Sequence, residues 1–229
     1  MTPELIIFDC DGVLVDSEIV ACRIDARELG RLGFQITAKA VAARFIGHGT
    51  QDMLDALQTE QGIRVPEDFR DHLLAATLNA FADELRAVPN VVQALDRLHW
   101  PLCVASSSDV ARIEYSLELT GLARYFAGRI FSAQMVARGK PDPDLFEFAA
   151  RSLGAAPAAC LVIEDSVAGV QAGVSAGMRV FGYTGASHCA DGHDARLHTA
   201  GASTVFDDMT ALPALIAAAA TGCGNGRSA

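Results

Sequence analysis

Two aspartates two residues apart, Asp9 and Asp11, follow a short apolar block and precede Gly12. Asp and Gly are ordinary turn residues, so the group taken alone fits a turn as well as a site. If it is a site, carboxylates at i and i+2 of a strand share one side and repel, and a hard divalent cation with oxygen ligands offsets that repulsion. Magnesium suits such a place when it also receives a phosphate. Three further stretches decide between the readings. Ser106-Ser107-Ser108 offers hydroxyl and amide donors ahead of a helical pattern, whose N-terminus favours anions. Gly139-Lys140-Pro141-Asp142-Pro143 presents one lysine from a rigid loop, and Glu164-Asp165 forms a second carboxylate pair leading into Ser166, Gly169 and Gly173. Each has a modest alternative: an N-cap cluster, a solvated lysine, a capping device. Met in order after successive apolar blocks, they supply a nucleophile-capable carboxylate, an acid or base, anion-binding donors and acidic metal ligands.

The elements that must position these residues are legible as short apolar, β-branched blocks at 5–8, 102–105, 129–131, 160–163, 179–181 and 204–206, the pattern of buried parallel strands. Helical patterns at 110–120, 143–153, 166–176 and 210–219 alternate with them, which predicts right-handed crossovers and an α/β, Rossmann-like doubly wound parallel sheet. In such a sheet, ligands sit beyond the carboxyl ends of the strands, where all four chemical stretches fall. Residues 9–101 are far more than one crossover needs, and from Ser17 to about Arg86 apolar residues recur at helical spacing. An inserted α-helical domain over 17–86 is therefore expected on a core of 1–16 and 87–221, with Asp16-Ser17 as a helix N-cap and two adjacent linkers forming a hinge. The small polar residues of 222–229 predict a frayed, disordered tail.

Composition narrows the partners. A formal net charge of -10 works against broad nucleic-acid contact, and no apolar run approaches the length that spans a membrane. Residues 1–8 do not follow the succession of a secretory signal, so a cytoplasmic protein is expected, a monomer or weak homodimer acting on a small molecule. Cysteines at 10, 22, 103, 160, 189 and 223 lack CxxC pairing and read as reduced thiols. His188, Cys189, His193 and His198 could suggest a metal, but the intervening Ala190-Asp191-Gly192 makes the stretch read as a surface loop.

Asp9-Cys10-Asp11-Gly12-Val13-Leu14-Val15-Asp16-Ser17-Glu18, Lys140-Pro141-Asp142-Pro143 and Glu164-Asp165-Ser166 with Gly169 together resemble the haloacid dehalogenase superfamily, in the group of β-phosphoglucomutases and sugar phosphate phosphatases. The resemblance covers nearly the whole chain, and the inserted helices are similar to that group's cap. It implies that Asp9 attacks phosphorus to form an aspartyl phosphate, that Asp11 serves as acid and then base, and that Ser106, Ser107 and Lys140 hold the phosphoryl group. It also implies Mg2+ held by Asp9, the main-chain carbonyl of Asp11 and Asp165, with Glu164 close by.

Three departures separate a phosphatase from the alternative, a phosphosugar mutase. The mutases carry a cap histidine where this chain has Ala21, a phosphate-gripping arginine where it has Thr50, and Lys-Asn where it has Asp109-Val110. A mutase must grip a second phosphate, so these losses favour hydrolysis. The segments at 15–18, 22–23, 44–45 and 166–169 are also similar to bacterial phosphatases acting on 6-phosphogluconate and related phosphates. His48 and Arg44, beside the cap-loop glycines, are expected to face the cleft and select the substrate.

Overall fold

A computed structural model describes residues 2–221 of the 229-residue chain; the tail expected at 222–229, and with it Cys223, lies outside the described residues. Six strands form one sheet: β1 (Leu5–Phe8), β2 (Leu102–Ser106), β3 (Ile130–Ser132), β4 (Cys160–Glu164), β5 (Arg179–Tyr183) and β6 (Thr204–Phe206). All pairs are parallel and the order is β3-β2-β1-β4-β5-β6. This is the doubly wound arrangement expected from the alternating blocks. Sequence order reverses beside β1, so the crevice for a ligand opens between the ends of β1 and β4.

Eleven α-helices accompany the sheet in the described residues: α1 (Glu18–Arg31), α2 (Ala38–Phe45), α3 (Thr50–Gln61), α4 (Phe69–Glu84), α5 (Val91–Leu95), α6 (Val110–Leu119), α7 (Ala123–Phe126), α8 (Asp144–Ser152), α9 (Val167–Ser175), α10 (His193–Ala200) and α11 (Leu212–Thr221). The strand period of two sends alternate side chains to opposite faces. Ile6, Phe8, Val104, Ile163 and Phe181 pack with α5, α6, α7 and α11. Leu5, Ile7, Ala105, Val162 and Val180 pack with α8 and α9 on the other face. Every residue of β1, β2 and β4 is buried, which is why these strands read as unbroken apolar runs.

Helices α1 to α4 have a cluster of their own, built on Ile24, Leu29, Phe34, Val41, Leu54, Leu57 and Leu73. Their attachment is a pair of adjacent strands of chain: Asp16 donates its N–H to the Arg86 carbonyl at 2.9 Å, Val88 donates to that of Leu14 at 3.0 Å, and Val15 bridges Ala87 in antiparallel fashion. Phe81 and Leu85, at the end of α4, instead join the core beneath the sheet face.

Two local features differ from expectation. Ser17 takes the N-cap position of α1 as expected, but its hydroxyl makes no capping bond and donates to Asp11 Oδ1 at 2.5 Å. The stretch from His188 to His198 is not a plain surface loop: Gly192, at φ +78°, opens helix α10, whose Leu197 is fully buried against Gly182 of β5. One buried leucine among polar neighbours carries too weak a period to be read from sequence. Cys10, Cys22, Cys103 and Cys160 are free and buried, and Cys189 is free and half-buried. Among the described residues no helix is long and apolar enough to cross a membrane.

Candidate active site

Strand β1 ends at Phe8, so the period of two stops before the aspartates and their carboxylates part company. Gly12, at φ +77°, turns the chain back so that Asp11 bridges Val15. No side chain fits at Gly12, because a Cβ there would lie 1.9 Å from Asp165 Oδ2. Asp9 remains at the crevice between β1 and β4. Its Oδ1 accepts from Lys140 Nζ at 2.8 Å, and Lys140 also donates to Glu164 Oε1 at 2.6 Å and to the Ala105 carbonyl at 3.1 Å. The Asp11 carboxylate is elsewhere, accepting from Ser17 at 2.5 Å, Ser108 at 2.6 Å and Arg112 Nη2 at 2.7 Å. The expectation that the two carboxylates share one side is thus corrected: Arg112 meets the charge of Asp11.

Electrostatics follow this division. Burial raises the pKa of Asp9 well above the carboxylate range, Lys140 works against it, and Glu164, Asp165 and Asp11 add to it. Asp165 is raised by burial and by Glu164. Burial alone would lower Lys140, but Asp9 and Glu164 overcome it and hold the ammonium charged. Burial would also raise Asp11, yet Arg112 and the Ser108 and Ser17 hydroxyls keep it below its ordinary value.

Asp9, Glu164 and Asp165 bring one ligand atom each to within 4.8 Å of one another, a group that could hold a metal ion. Asp165 Oδ2 is buried with no hydrogen-bond partner, so acceptor capacity is left over, and an all-oxygen set fits a hard divalent cation. Glu164 is more heavily committed than expected: its Oε2 accepts from the N–H groups of Asp165 and Ser166, each at 2.9 Å, and from the Ser166 hydroxyl at 3.0 Å. The capping alternative for this pair and the site reading therefore coexist in one side chain. Gly169 makes room for it, since a Cβ there would lie 1.8 Å from Glu164 Oε1.

A cleft opens above Asp9 and Asp11. Its core wall includes Ser106, Ser107, Ser108 and Arg112, and its other wall includes Glu18, Ala21, Asp25, His48 and Thr50 from the inserted helices. Ser107 ties the two walls by donating to the Gly47 carbonyl at 2.8 Å. Ser106, fully buried, accepts from the Ser108 N–H at 3.1 Å. His48 lies in the cleft as expected, but Arg44 does not. Arg44 pairs with Glu60 on the exposed side of α2 and lies over the Phe45 ring, because the helix turns it away from the loop that carries His48.

Glu18, Asp25 and Arg112 were not singled out as site residues. A signal existed for the first two: 18 and 25 are two helical turns apart and share a face with Ala21 and Cys22, where a core-facing stripe should be apolar. Burial, reinforced by the Asp11 charge, pushes Glu18 up to about 8, and burial pushes Asp25 up to about 6 against the pull of Arg112. Because the folded pKa of Glu18 lies above its ordinary 4.5, the folded state binds this proton more tightly than the unfolded chain. Stability from that source is fully present below about pH 4.5 and is lost as pH rises through about 8. Glu18→Gln is expected to flatten the fall in melting temperature of the metal-free protein between about pH 4.5 and 8. A slope unchanged from the parent would remove Glu18 as its cause.

Comparison with known proteins agrees with this geometry. Residues 3–177 match the family described as haloacid dehalogenase-like hydrolase. The chain is 31% identical over 213 residues to the 6-phosphogluconate phosphatase of Escherichia coli K12, covering 93% of this chain and 94% of that protein. It is similar, at TM-score 0.79 and 40% identity, to a conserved haloacid dehalogenase-like protein of unknown function from Agrobacterium tumefaciens, with 95% of this chain and 99% of that one covered. A hydrolase of the same family from Deinococcus radiodurans, solved with bound phosphate and sodium, superposes at TM-score 0.71 with 31% identity, covering 96% and 97%. By its matched residues and by its relatives, this chain belongs to the haloacid dehalogenase-like hydrolase family.

Proposed function

We propose that the chain is a Mg2+-dependent phosphatase that hydrolyses a small phosphate monoester, a sugar phosphate or sugar-acid phosphate, through an aspartyl phosphate on Asp9. The observation that supports the reading is the pairing of Asp9 with Lys140 at the mouth of β1, with Asp11 held separately by Arg112, Ser108 and Ser17. Asp9 attacks phosphorus in line while Lys140 and the Ser106 and Ser107 donors hold the phosphoryl oxygens. Asp11 gives a proton to the leaving alcohol and later takes one from the water that opens the acyl phosphate. Three donors hold Asp11 ionised at rest, so its acid half-cycle requires one of them to move, and Ser17, at the linker to the helices, is the natural one. Asp9, the Asp11 carbonyl and Asp165 would hold the cation, with Glu164 beside them. When bound, Mg2+ would polarise the phosphoryl group and offset repulsion between the ester and the carboxylates.

Residues 17–86 act as a cap on the core of 1–16 and 87–221. Their own apolar cluster and the paired linkers at Asp16 and Arg86 support this division. The cap wall lends Glu18, Asp25 and His48 to the cleft, polar groups suited to the hydroxyls of a sugar or polyol. Ala21 and Thr50 lie in the same cleft and carry no charge for a second phosphate, which favours hydrolysis over mutase chemistry. The 6-phosphogluconate phosphatase relative makes sugar-acid phosphates a first choice for assay.

The test is phosphate release from a panel of sugar phosphates, 6-phosphogluconate and phosphoglycolate, with Mg2+ and with chelator. Release is expected only with the cation and without a bisphosphate primer. Undiminished turnover in chelator would defeat the mechanism, and primer-dependent isomerisation would make the protein a mutase.

A further inference from the structure

Behind the acidic cluster stands a group of side chains for which phosphoryl transfer has no stated use. After β5 the chain passes Ser187, His188 and Cys189 before entering α10 at His193. Ser187 fastens the start of this segment to the cap linker, donating to Asp16 Oδ1 from its N–H at 3.2 Å and its hydroxyl at 2.7 Å. The side chain of His188 is 4% exposed and sets Nε2 3.0 Å from Asp165 Oδ2. His193 is buried with both ring nitrogens engaged. Arg196 can only donate, so Nδ1 accepts from it at 3.0 Å, and Nε2 therefore carries the proton donated to the Asp165 carbonyl at 2.5 Å.

One segment thus meets Asp165 twice: His193 hydrogen-bonds its main chain, and the buried ring of His188 packs against its carboxylate. Its remaining side is closed by Gly12, where a Cβ would strike both Asp165 Oδ2 and, at 2.9 Å, His188 Cε1. His188 Nε2 pairs with Cys189 Sγ at 3.5 Å rather than hydrogen-bonding Asp165, so Asp165 Oδ2 keeps its acceptor capacity, and His188 Nδ1 is unpartnered. A carboxylate that is held but not saturated is what a metal ligand needs, because rotational freedom is removed before the cation arrives.

We propose that His188 and His193 are positioning residues for Asp165, and that this pair sets the affinity of the acidic cluster for its divalent cation. The inference rests on the reading of Asp165 as a ligand. In the alternative, His188, Cys189 and His193 would themselves bind a metal, since their donor atoms also lie within 4.8 Å of one another. Two observations favour the positioning role: the ring of His193 is already used on both sides, and His188 Nε2, which also meets Cys189 Sγ at 3.5 Å, lies 3.0 Å from Asp165 Oδ2.

The experiment is titration of the full-length, metal-free protein with Mn2+, followed by the electron paramagnetic resonance signal of free ion, with circular dichroism to verify folding. His188→Ala and His193→Ala are each expected to weaken Mn2+ binding by about 10- to 100-fold. His193→Gln, whose amide can still donate to the Asp165 carbonyl, is expected to recover most of that loss. Folded variants that bind Mn2+ as tightly as the parent would overturn the proposal while leaving Asp165 as a ligand. Binding that survives Asp165→Asn but is lost in His188→Ala would overturn it by making the histidines ligands. A parent protein that takes up no Mn2+ would overturn both this inference and the ligand reading of Asp165.

Discussion

Asp9→Asn is expected to abolish turnover while leaving the fold intact, with kcat lowered about 10⁴- to 10⁶-fold. An amide oxygen of the same shape carries no charge with which to attack phosphorus, so the covalent step is lost and only binding and electrostatic help remain. Stability should respond differently from activity. Asp9 is a buried carboxylate raised by burial and by Glu164, Asp165 and Asp11, and Lys140 is the group that favours its charge. The substitution removes that repulsion, and Lys140 retains Glu164 at 2.6 Å and the Ala105 carbonyl at 3.1 Å. The melting temperature of the metal-free protein is therefore expected to hold level or rise. Steady-state phosphate release, thermal melts in chelator and mass spectrometry for a phosphorylated Asp9 in the parent check the three parts. More than a hundredth of parental activity in the variant would rule Asp9 out as nucleophile.

Lys140→Met should damage both properties. The ammonium is buried and is bonded to two carboxylates, so its loss leaves Asp9 and Glu164 facing Asp165 without a counter-charge. Breaking a buried pair from one side costs about 3–5 kcal/mol, which for a chain of this size is a fall in melting temperature of roughly 6–20 °C. Two conditions should shrink that fall. Added Mg2+ would supply positive charge in the same place, and lower pH would protonate Asp9 and Asp165, whose pKa values are raised in the folded state. Turnover is expected to drop about 10²- to 10³-fold, as when a preorganised donor to the reacting group is removed. A variant that melts with the parent in chelator at neutral pH would show that Lys140 does not hold the cluster together.

The parts of the site visible in the sequence are those attached to strand ends. Asp9, Ser106, Glu164 and Asp165 each sit at or next to the last residue of an apolar block, and the parallel sheet brings such ends to one rim. Lys140 was legible for a related reason, because it stands in a short loop between β3 and α8 at the same rim. Residues that reach the site from within a helix were harder to see. Arg112 lies in the first turn of α6, and what distinguishes it from other helical arginines is Asp11, far away in sequence. Arg44 illustrates the converse error: nearness in sequence to the cap-loop glycines did not bring it to the cleft, since the last turn of α2 points it at Glu60.

What the sequence by itself determined is the fold class, the strands and the chemical inventory at their ends, because burial on both faces writes unbroken apolar blocks into a parallel sheet and anything polar at a block's end must face the rim. The tertiary structure alone decided which charge meets which: that Lys140 serves Asp9 and Glu164 together, that Arg112 pairs with Asp11, and that His188 and His193 flank Asp165. Such pairings depend on distances of a few ångströms between residues separated by most of the chain. Local sequence patterns carry no record of those distances, and the Coulomb and hydrogen-bond energies that depend on them appear only once the elements have packed.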